Sequence, residues 1–324
     1  MARFLVRRLV ISLVTLVGIS ILLFLLMRLA PGDPVDMQLQ GQIPRMSAAD
    51  IPRVRAELTH EFGLDQPIAI QYLFWVRELV LHGSMGYSFV SSQPALGLIL
   101  GRFGATLELM SISLVLSLVV GVPLGIVAAL RRNRLTDYVV SAFGISTAAV
   151  PSFFLGLILI YVFSIKLRVL PSGDMFTPGQ PQNVVDNVRH LTLPAVVLGV
   201  GSAGPILRYV RTSILETLGR EYLVTARAKG LAPWIVIVRH AFPNALLPLI
   251  TVVGLQVGQL LAGAFITEQV FNWPGMGRMA YNAILAHDYP VIQAFAVVTA
   301  VMVLLGNVLS DLAYGFADQR IRID

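Results

Sequence analysis

The chain has 324 residues, of which 56% are hydrophobic and only 13% are charged; soluble domains carry about 25% charged residues, so the composition indicates a polytopic membrane protein. The formal net charge is +6, but the positive residues adjoin apolar stretches and form no separate basic domain, which argues against nucleic acid as a partner. Cysteine is absent, which excludes disulfides and thiolate metal sites, and the five histidines are scattered without a pair at metal-ligand spacing.

Six segments have the roughly 20 apolar residues needed to cross about 30 Å of hydrocarbon. They are residues 9–27, 107–130, 138–165, 191–209, 245–265 and 291–314. The first could be a cleaved signal peptide, because three arginines precede it. Its apolar run, however, exceeds the about 7–15 residues of a signal core. We therefore predict an all-α membrane protein with six transmembrane helices and an uncleaved first span.

Basic residues cluster before the first span, after the second, around the loop after the fourth, and after the sixth. With six spans, these four places lie on one side of the membrane, which the positive-inside rule assigns to the cytoplasm. We expect a multi-pass protein of the plasma (inner) membrane with both termini in the cytoplasm. The long segment after the first span, about residues 30–103, is then extracytoplasmic.

The chain divides near residue 100. Residues 1–100 hold the first span and the extracytoplasmic segment, and residues 101–324 form a five-helix core that includes a loop at 211–244. In the extracytoplasmic segment, residues 51–63 predict a short helix that ends at Gly63. Residues 71–80 predict another, with its aromatic side chains on one face. Tyr72 and Trp75 could line a ligand path; more often such rings sit at the membrane interface or pack the helix against its neighbours.

Polar side chains lie in the fifth span or at its outer end, at Gln256, Gln259 and Glu268. The two glutamines are three residues apart and should share a helix face. Polar groups at membrane depth usually face a bundle interior or water. This stripe could line the path of a polar solute, or it could make interhelical hydrogen bonds that only hold the bundle together. Glu268 is close enough to a helix end that it could also reach headgroup water.

Small residues recur every four positions in two of the spans. The fifth span has Gly254, Gly258 and Ala262, and the second has Gly121 and Gly125. This spacing lets helix backbones approach closely, so we predict tight packing at both places.

The segment 220–243 is both charged and helix-forming, although it lies between two apolar stretches. Residues 221–229 are good helix formers, and Gly230 is a natural stop. Pro233 then favours the first turn of a second helix, residues 233–241, and Pro243 and Pro248 mark the entry to the fifth span. The result would be a small projection with a charged rim, suited to a groove on another protein. The alternative is an amphipathic helix lying on anionic headgroups of the membrane lipid.

This loop resembles the EAA loop of binding-protein-dependent ABC importer permeases, whose pattern is Glu-Ala-Ala, three residues, Gly, nine residues, Ile-x-Leu-Pro. With the pattern aligned on Gly230, its second Ala falls on Ala226 and its final Pro on Pro243. Val224 and Thr225 depart from the pattern, as do His240 at the Ile position and Phe242 at the Leu position, and the acidic residue Glu221 stands one turn earlier. Residues 27–34 (Met-Arg-Leu-Ala-Pro-Gly-Asp-Pro) and 268–277 (Glu-Gln-Val-Phe-Asn-Trp-Pro-Gly-Met-Gly) resemble the first permease subunit of dipeptide and oligopeptide importers, in the peptide/nickel group.

The resemblance implies a type I ABC importer permease fold, with no catalytic residues and no cofactor or metal bound by this chain. It implies a path formed with a second homologous permease subunit, and an extracytoplasmic solute-binding protein that delivers the solute. It also implies two ATP-binding subunits that carry ATP and magnesium, with the short helix of the loop docked in a cleft of the ATPase. By match to the motif, the ATPase-coupling residues are Glu221, Ala226, Arg227, Ala228, Lys229 and Gly230.

The resemblance leaves the solute open among dipeptides, longer peptides, glutathione and nickel chelates. A secondary transporter driven by an ion gradient is the alternative from another class. It would explain buried acids such as Glu268, but it gives no reason for the loop, and its usual inverted repeats are not evident. The sequence has no Gly-rich phosphate-binding loop of the Walker type, so any nucleotide chemistry must come from another chain.

Overall fold

A computed structural model of the chain describes residues 2–29, 35, 50–61, 64–232, 235–246 and 249–317. The α-helices are α1 (Ala2–Leu29), α2 (Ile51–Glu61), α3 (Ile68–His82), α4 (Ala95–Leu130), α5 (Leu135–Ala149), α6 (Ser152–Leu159), α7 (Val184–Leu218), α8 (Glu221–Ala228), α9 (Phe242–Leu246), α10 (Leu249–Val270), α11 (Met276–Leu285) and α12 (Tyr289–Ala317). Two π-helices accompany them, π1 (Ile160–Lys166) and π2 (Val236–Ala241). Within these ranges the fold is all-helical, as predicted.

Five of the described helices are long and apolar enough to cross a membrane: α1, α4, α7, α10 and α12. A sixth candidate combines α5 with α6 and π1, but its two pieces are bent by 102°. The uninterrupted third span predicted at residues 138–165 is therefore wrong. The break falls at Val150, which is extended with φ −90° and ψ 119°, and at Pro151. Proline has no N–H to donate, and it disfavours a helical conformation at the preceding residue.

The described residues form two units. The first comprises residues 1–8, 105–274 and 302–324, and the second comprises residues 9–104 and 275–301. The long helices α4 and α12 each contribute to both units. The loop between α7 and α10 lies entirely within the first unit.

Glycines in the first unit let helices approach closely, which confirms the prediction from their spacing. A Cβ atom at Gly121 in α4 would lie 2.8 Å from the carbonyl oxygen of Ala203 in α7. A Cβ atom at Gly254 in α10 would overlap the side chain of Ser310 in α12. At both places a larger residue would have to push two helices apart.

In the second unit, α3 packs against α1 through its aromatic side chains. The rings of Phe24 and Tyr72 have centroids 5.6 Å apart, and those of Tyr72 and Trp75 are 6.2 Å apart. The Tyr72 hydroxyl also lies 2.8 Å from the Ser20 hydroxyl. These contacts support the packing role of the two rings over a ligand path. The helix predicted at 51–63 is confirmed as α2, although Gly63 lies outside the described residues.

Candidate functional site

The loop between α7 and α10 leaves the helical bundle and returns to it through short helical pieces. The N–H of Gly219 donates to the carbonyl of Glu216 at 3.3 Å where α7 ends. The chain then forms α8, passes Gly230, and comes back through π2 and α9 to α10. Within this stretch, residues 233–234 and 247–248 lie outside the described part of the chain, so the roles predicted for Pro233 and Pro248 find no test there.

The outer surface of α8 is largely exposed. Glu221 and Ala228, at its two ends, are exposed, and so is Lys229, which follows it. Tyr222 has 44% of its side-chain surface accessible. The side chains of two further coupling residues predicted from the motif, Ala226 and Arg227, lie outside the described part, although their backbone is helical. The helix therefore presents a surface that another protein could cover.

Gly230 ends the turn that follows α8, as predicted. The N–H of Lys229 donates to the carbonyl of Thr225 at 3.1 Å and closes the last turn. Gly230 has a φ of 78°, in the left-handed region that residues with a Cβ rarely adopt. A Cβ atom there would meet nothing within 4 Å. The requirement for glycine is thus a matter of backbone conformation, because the surrounding space is open.

The second helix of the loop differs from the one predicted at residues 233–241. The return path is π-helical over Val236–Ala241 and continues as α9 instead of ending at Ala241. The N–H of Phe242 donates to the carbonyl of Ile237, five residues back, as a π-helix requires. Pro243 is the second residue of α9, and α10 begins at Leu249. Pro243 therefore lies on the stretch that leads into the fifth span, whose other predicted marker, Pro248, lies outside the described residues.

A buried apolar contact holds α8 to the return path. Leu223 in α8 is fully buried, and it forms one cluster with Val236 and Ala241, each 1% exposed. Leu218, the last residue of α7, packs against the same cluster. This cluster was not predicted from the sequence. A signal for it was present in Leu223, because a fully solvated projection has no need of a large aliphatic side chain.

Two polar contacts hold the base of the loop. The Ser213 hydroxyl in α7 donates to the carbonyl of Ala245 in α9 at 2.7 Å. Arg211 in α7 forms an ion pair with Asp137 in α5, with Nε 2.7 Å from Oδ1, and the N–H of Asn133 donates to Oδ2 of the same carboxylate at 3.0 Å. Arg211 and Asp137 are 74 positions apart in sequence, so spacing alone could not associate them.

The polar side chains predicted in the fifth span do not form one stripe. Gln256 is 2% exposed, and its Nε2 donates to the carbonyl of Ser202 in α7 at 3.1 Å. Glu268 is fully buried and accepts a hydrogen bond from the Thr106 hydroxyl at 2.6 Å, so it does not reach headgroup water. Gln259 is exposed. Gln256 and Glu268 thus make hydrogen bonds between helices, and a path role for the three side chains stays a prediction.

An open groove of about 620 Å³ lies in the first unit, beside α10 and the second half of α12. Its lining is apolar, with Val253, Val257 and Leu309 among its walls. The hydroxyl of Ser310, which also lies in the lining, donates to the carbonyl of Ile250 at 2.9 Å. The groove therefore offers little to bind a polar solute.

Comparison with known proteins gives matches over almost the whole chain. Residues 121–323 match the family of binding-protein-dependent transport system inner membrane components, and residues 1–110 match the N-terminal region of such membrane components. The chain is 38% identical to the oligopeptide transport system permease protein AppB of Bacillus subtilis and 39% identical to the dipeptide transport system permease protein DppB of Escherichia coli. Each alignment covers 99% of both proteins.

Among solved structures, the fold is similar to that of a chain of the MetNI methionine ABC transporter, solved in inward-facing conformations. The TM-score is 0.57 at 20% sequence identity, over 68% of this chain and 97% of the other. At this level of identity the similarity concerns the fold alone, and it agrees with the predicted type I ABC importer permease fold.

Proposed function

The chain belongs to the family of binding-protein-dependent transport system inner membrane components, and from this premise we propose that it is a permease subunit that carries dipeptides or oligopeptides into the cytoplasm. The proposal for the solute rests on relatives named for oligopeptide and dipeptide transport, at 38% and 39% identity over the full chain. Glutathione and nickel chelates are the competing solutes. A separate solute-binding protein on the outer side would select among them before the permease is reached.

Both termini and the loop between α7 and α10 face the cytoplasm in this proposal, and the segment between α1 and α4 faces outward. The support is the distribution of arginine and lysine along the sequence, which favours one side at four places. The chain would form the transport path together with a second, homologous permease subunit. Two ATP-binding subunits on the cytoplasmic side would bind ATP and magnesium.

The observation that carries the proposal is the construction of α8. It is a short exposed helix between two membrane-spanning helices, fixed on its inner side by Leu223 and ended by Gly230 in a left-handed conformation. A helix that is rigidly held yet exposed can receive a movement from a partner and pass it on. The residues assigned to contact with the ATPase are Glu221, Ala226, Arg227, Ala228, Lys229 and Gly230.

Binding and hydrolysis of ATP would move the two ATPases together and apart, and α8 would turn this movement into alternation between inward-facing and outward-facing packings of the helices. The chain itself contributes no reacting group in this scheme. The residues assigned to the possible path are Gln256, Gln259 and Glu268, of which Gln259 is exposed in the isolated chain.

The experiment is reconstitution of this chain with its second permease, ATPases and solute-binding protein in liposomes, followed by uptake of a radiolabelled dipeptide. We expect uptake that requires ATP on the side of the liposome membrane where the ATPases are bound, and that continues when ion gradients are collapsed. Uptake driven by an ion gradient without ATP would instead identify a secondary transporter. Competition by unlabelled oligopeptide, glutathione and a nickel chelate then ranks the solutes.

A further inference from the structure

The π-helix in the return path of the loop places two of its residues against Leu223. A π-helix carries one more residue per hydrogen-bonded turn than an α-helix, is rare, and occurs mostly where function requires it. Here π2 comprises the six residues Val236–Ala241. Its first and last residues, Val236 and Ala241, are the two that join Leu223 in the buried cluster.

Backbone geometry explains why a π-helix is needed at this place. Five residues of α-helix, at 3.6 per turn, advance about 140° beyond one full circle, so Val236 and Ala241 would face different sides. A π-helix forms its hydrogen bond at i+5, which brings residues five apart to nearly the same side. The π form therefore turns both side chains toward Leu223. We call Leu218, Val236 and Ala241 the Leu223 socket.

The residues of the Leu223 socket come from the chain segments before and after α8. Leu218 ends α7, and Ala241 leads directly into α9. The hydrogen bond from Ser213 to the carbonyl of Ala245 links the same two segments. The cluster therefore joins α8 both to α7 and to the segment that leads into α10. The exposed outer surface of α8 stays free for a partner.

We propose that the Leu223 socket, built by π2, is the element that transmits the movement of α8 to the membrane-spanning helices, with Leu223, Val236 and Ala241 as positioning residues. This inference rests on the proposed function as an ATP-driven permease. It assigns to buried residues of this chain a role that is separate from the docking surface of α8. The socket makes α8 and π2 one rigid body through the transport cycle.

The first test reduces the apolar volume of the socket from each side. Val236→Ala shortens a buried side chain of π2, and Leu223→Ala shortens the buried side chain of α8. Neither substitution changes the length of the backbone. For both variants we expect the ATPase to co-purify as with the unmodified chain, while peptide delivered per ATP hydrolysed falls about tenfold, within the range of coupling between sites.

The matched controls are Val238→Ala, which alters an exposed side chain in the same turn, and Leu223→Met, which conserves the volume inside the socket. Both should retain the unmodified ratio of uptake to hydrolysis. An unmodified ratio in Val236→Ala and in Leu223→Ala would overturn the proposal. Loss of the ATPase from both variants would overturn it too, because a transmitting contact separate from the docking surface leaves docking intact.

The second test uses the absence of cysteine in the chain, so that introduced cysteines carry the spin labels specifically. Labels at Thr225→Cys in α8 and Arg239→Cys in π2, both exposed positions, report the distance between the two elements in the full complex. We expect the same distance in the nucleotide-free and the ATP-trapped complex. A distance that changes between these states would show that α8 moves against π2, and would overturn the proposal.

The proposed function and the role of the Leu223 socket can be refuted separately. If the unmodified complex shows no ATP-driven peptide uptake, the proposed function fails. If the unmodified complex transports peptide and the labels nevertheless move apart, only the role of the socket fails.

Discussion

Arg211 in α7 donates two hydrogen bonds to the carboxylate of Asp137 in α5, from Nε at 2.7 Å and from Nη2 at 2.8 Å. The Asp137 side chain is 4% exposed and that of Arg211 is 28% exposed. This paired geometry fixes the angle between the two side chains as well as their distance, which a lysine could not do. The contact lies two turns before the end of α7, so it secures the helix from which the loop departs.

Asp137→Asn should destabilise the protein. The substitution removes the negative charge but leaves the Arg211 guanidinium partly buried, and loss of one partner of a buried pair costs about 3 kcal/mol. Thermal unfolding of the detergent-solubilised chain should show a lower midpoint. Asp65→Asn, which changes an exposed carboxylate, is the control and should leave the midpoint unchanged. Equal midpoints for the two variants would mean that the ion pair adds nothing to stability.

Gly230→Ala should impair coupling beyond its effect on stability. A left-handed conformation costs a residue with a Cβ about 1–2 kcal/mol. Gly179 has the same φ of 78° and likewise meets nothing within 4 Å, so Gly179→Ala carries the same backbone cost at a place outside the loop. We expect equal losses of thermal stability in the two variants and a reduced ratio of uptake to ATP hydrolysis only in Gly230→Ala. A reduced ratio in both would trace the effect to stability alone.

Gly254→Ala should be far more damaging than Gly258→Ala. A Cβ at Gly254 would overlap the Ser310 side chain, whereas one at Gly258 would lie 3.9 Å from the nearest atom of Val303. Overpacking of this kind costs about 1–3 kcal/mol. Unfolding midpoints of the two variants provide the measurement. The closeness of α10 and α12 would be refuted by a Gly254→Ala variant as stable as Gly258→Ala.

Glu268→Gln should preserve uptake. The amide keeps a carbonyl oxygen that can accept from the Thr106 hydroxyl, which lies 2.6 Å from the Glu268 carboxylate. Glu268→Ala removes the acceptor and leaves a buried donor, at a cost of about 1–3 kcal/mol. Proteoliposome uptake and unfolding midpoints distinguish the two. Abolished uptake in Glu268→Gln at normal stability would instead revive an ion-coupled role for this carboxylate.

The long helices could be predicted because each depends on a local property of the sequence. Continuous apolar stretches predicted five spans that the structure confirms among its described residues, and the four-residue spacing of glycines predicted close helix packing. The stop at Gly230 was equally local, because only glycine readily adopts the conformation found there. Family membership was predictable for the same reason, since the motifs at 27–34 and 268–277 are continuous stretches of sequence.

The remaining features depend on contacts between distant residues. Leu223, Val236 and Ala241 are individually ordinary apolar residues. A π-helix turns Val236 and Ala241 toward Leu223, and no hydrophobic period in the sequence predicts a π-helix. Gln256 and Gln259 share a nominal helix face, yet the neighbouring α7 covers only the first of them. A helical period specifies which residues are neighbours on a surface, and tertiary packing decides how far each is covered.

The break at Val150 and Pro151 also limits what can surround this chain. Since Pro151 has no N–H, the helix supplies no donor to the carbonyl of Thr147, four residues earlier. Val150 and Pro151 are exposed in the isolated chain. Hydrocarbon cannot satisfy open backbone groups, which at membrane depth are tolerated only against protein or water. Wherever the break lies at membrane depth, these residues must therefore be covered by protein or water, and the acyl chains of the bilayer can cover only other sides of the chain.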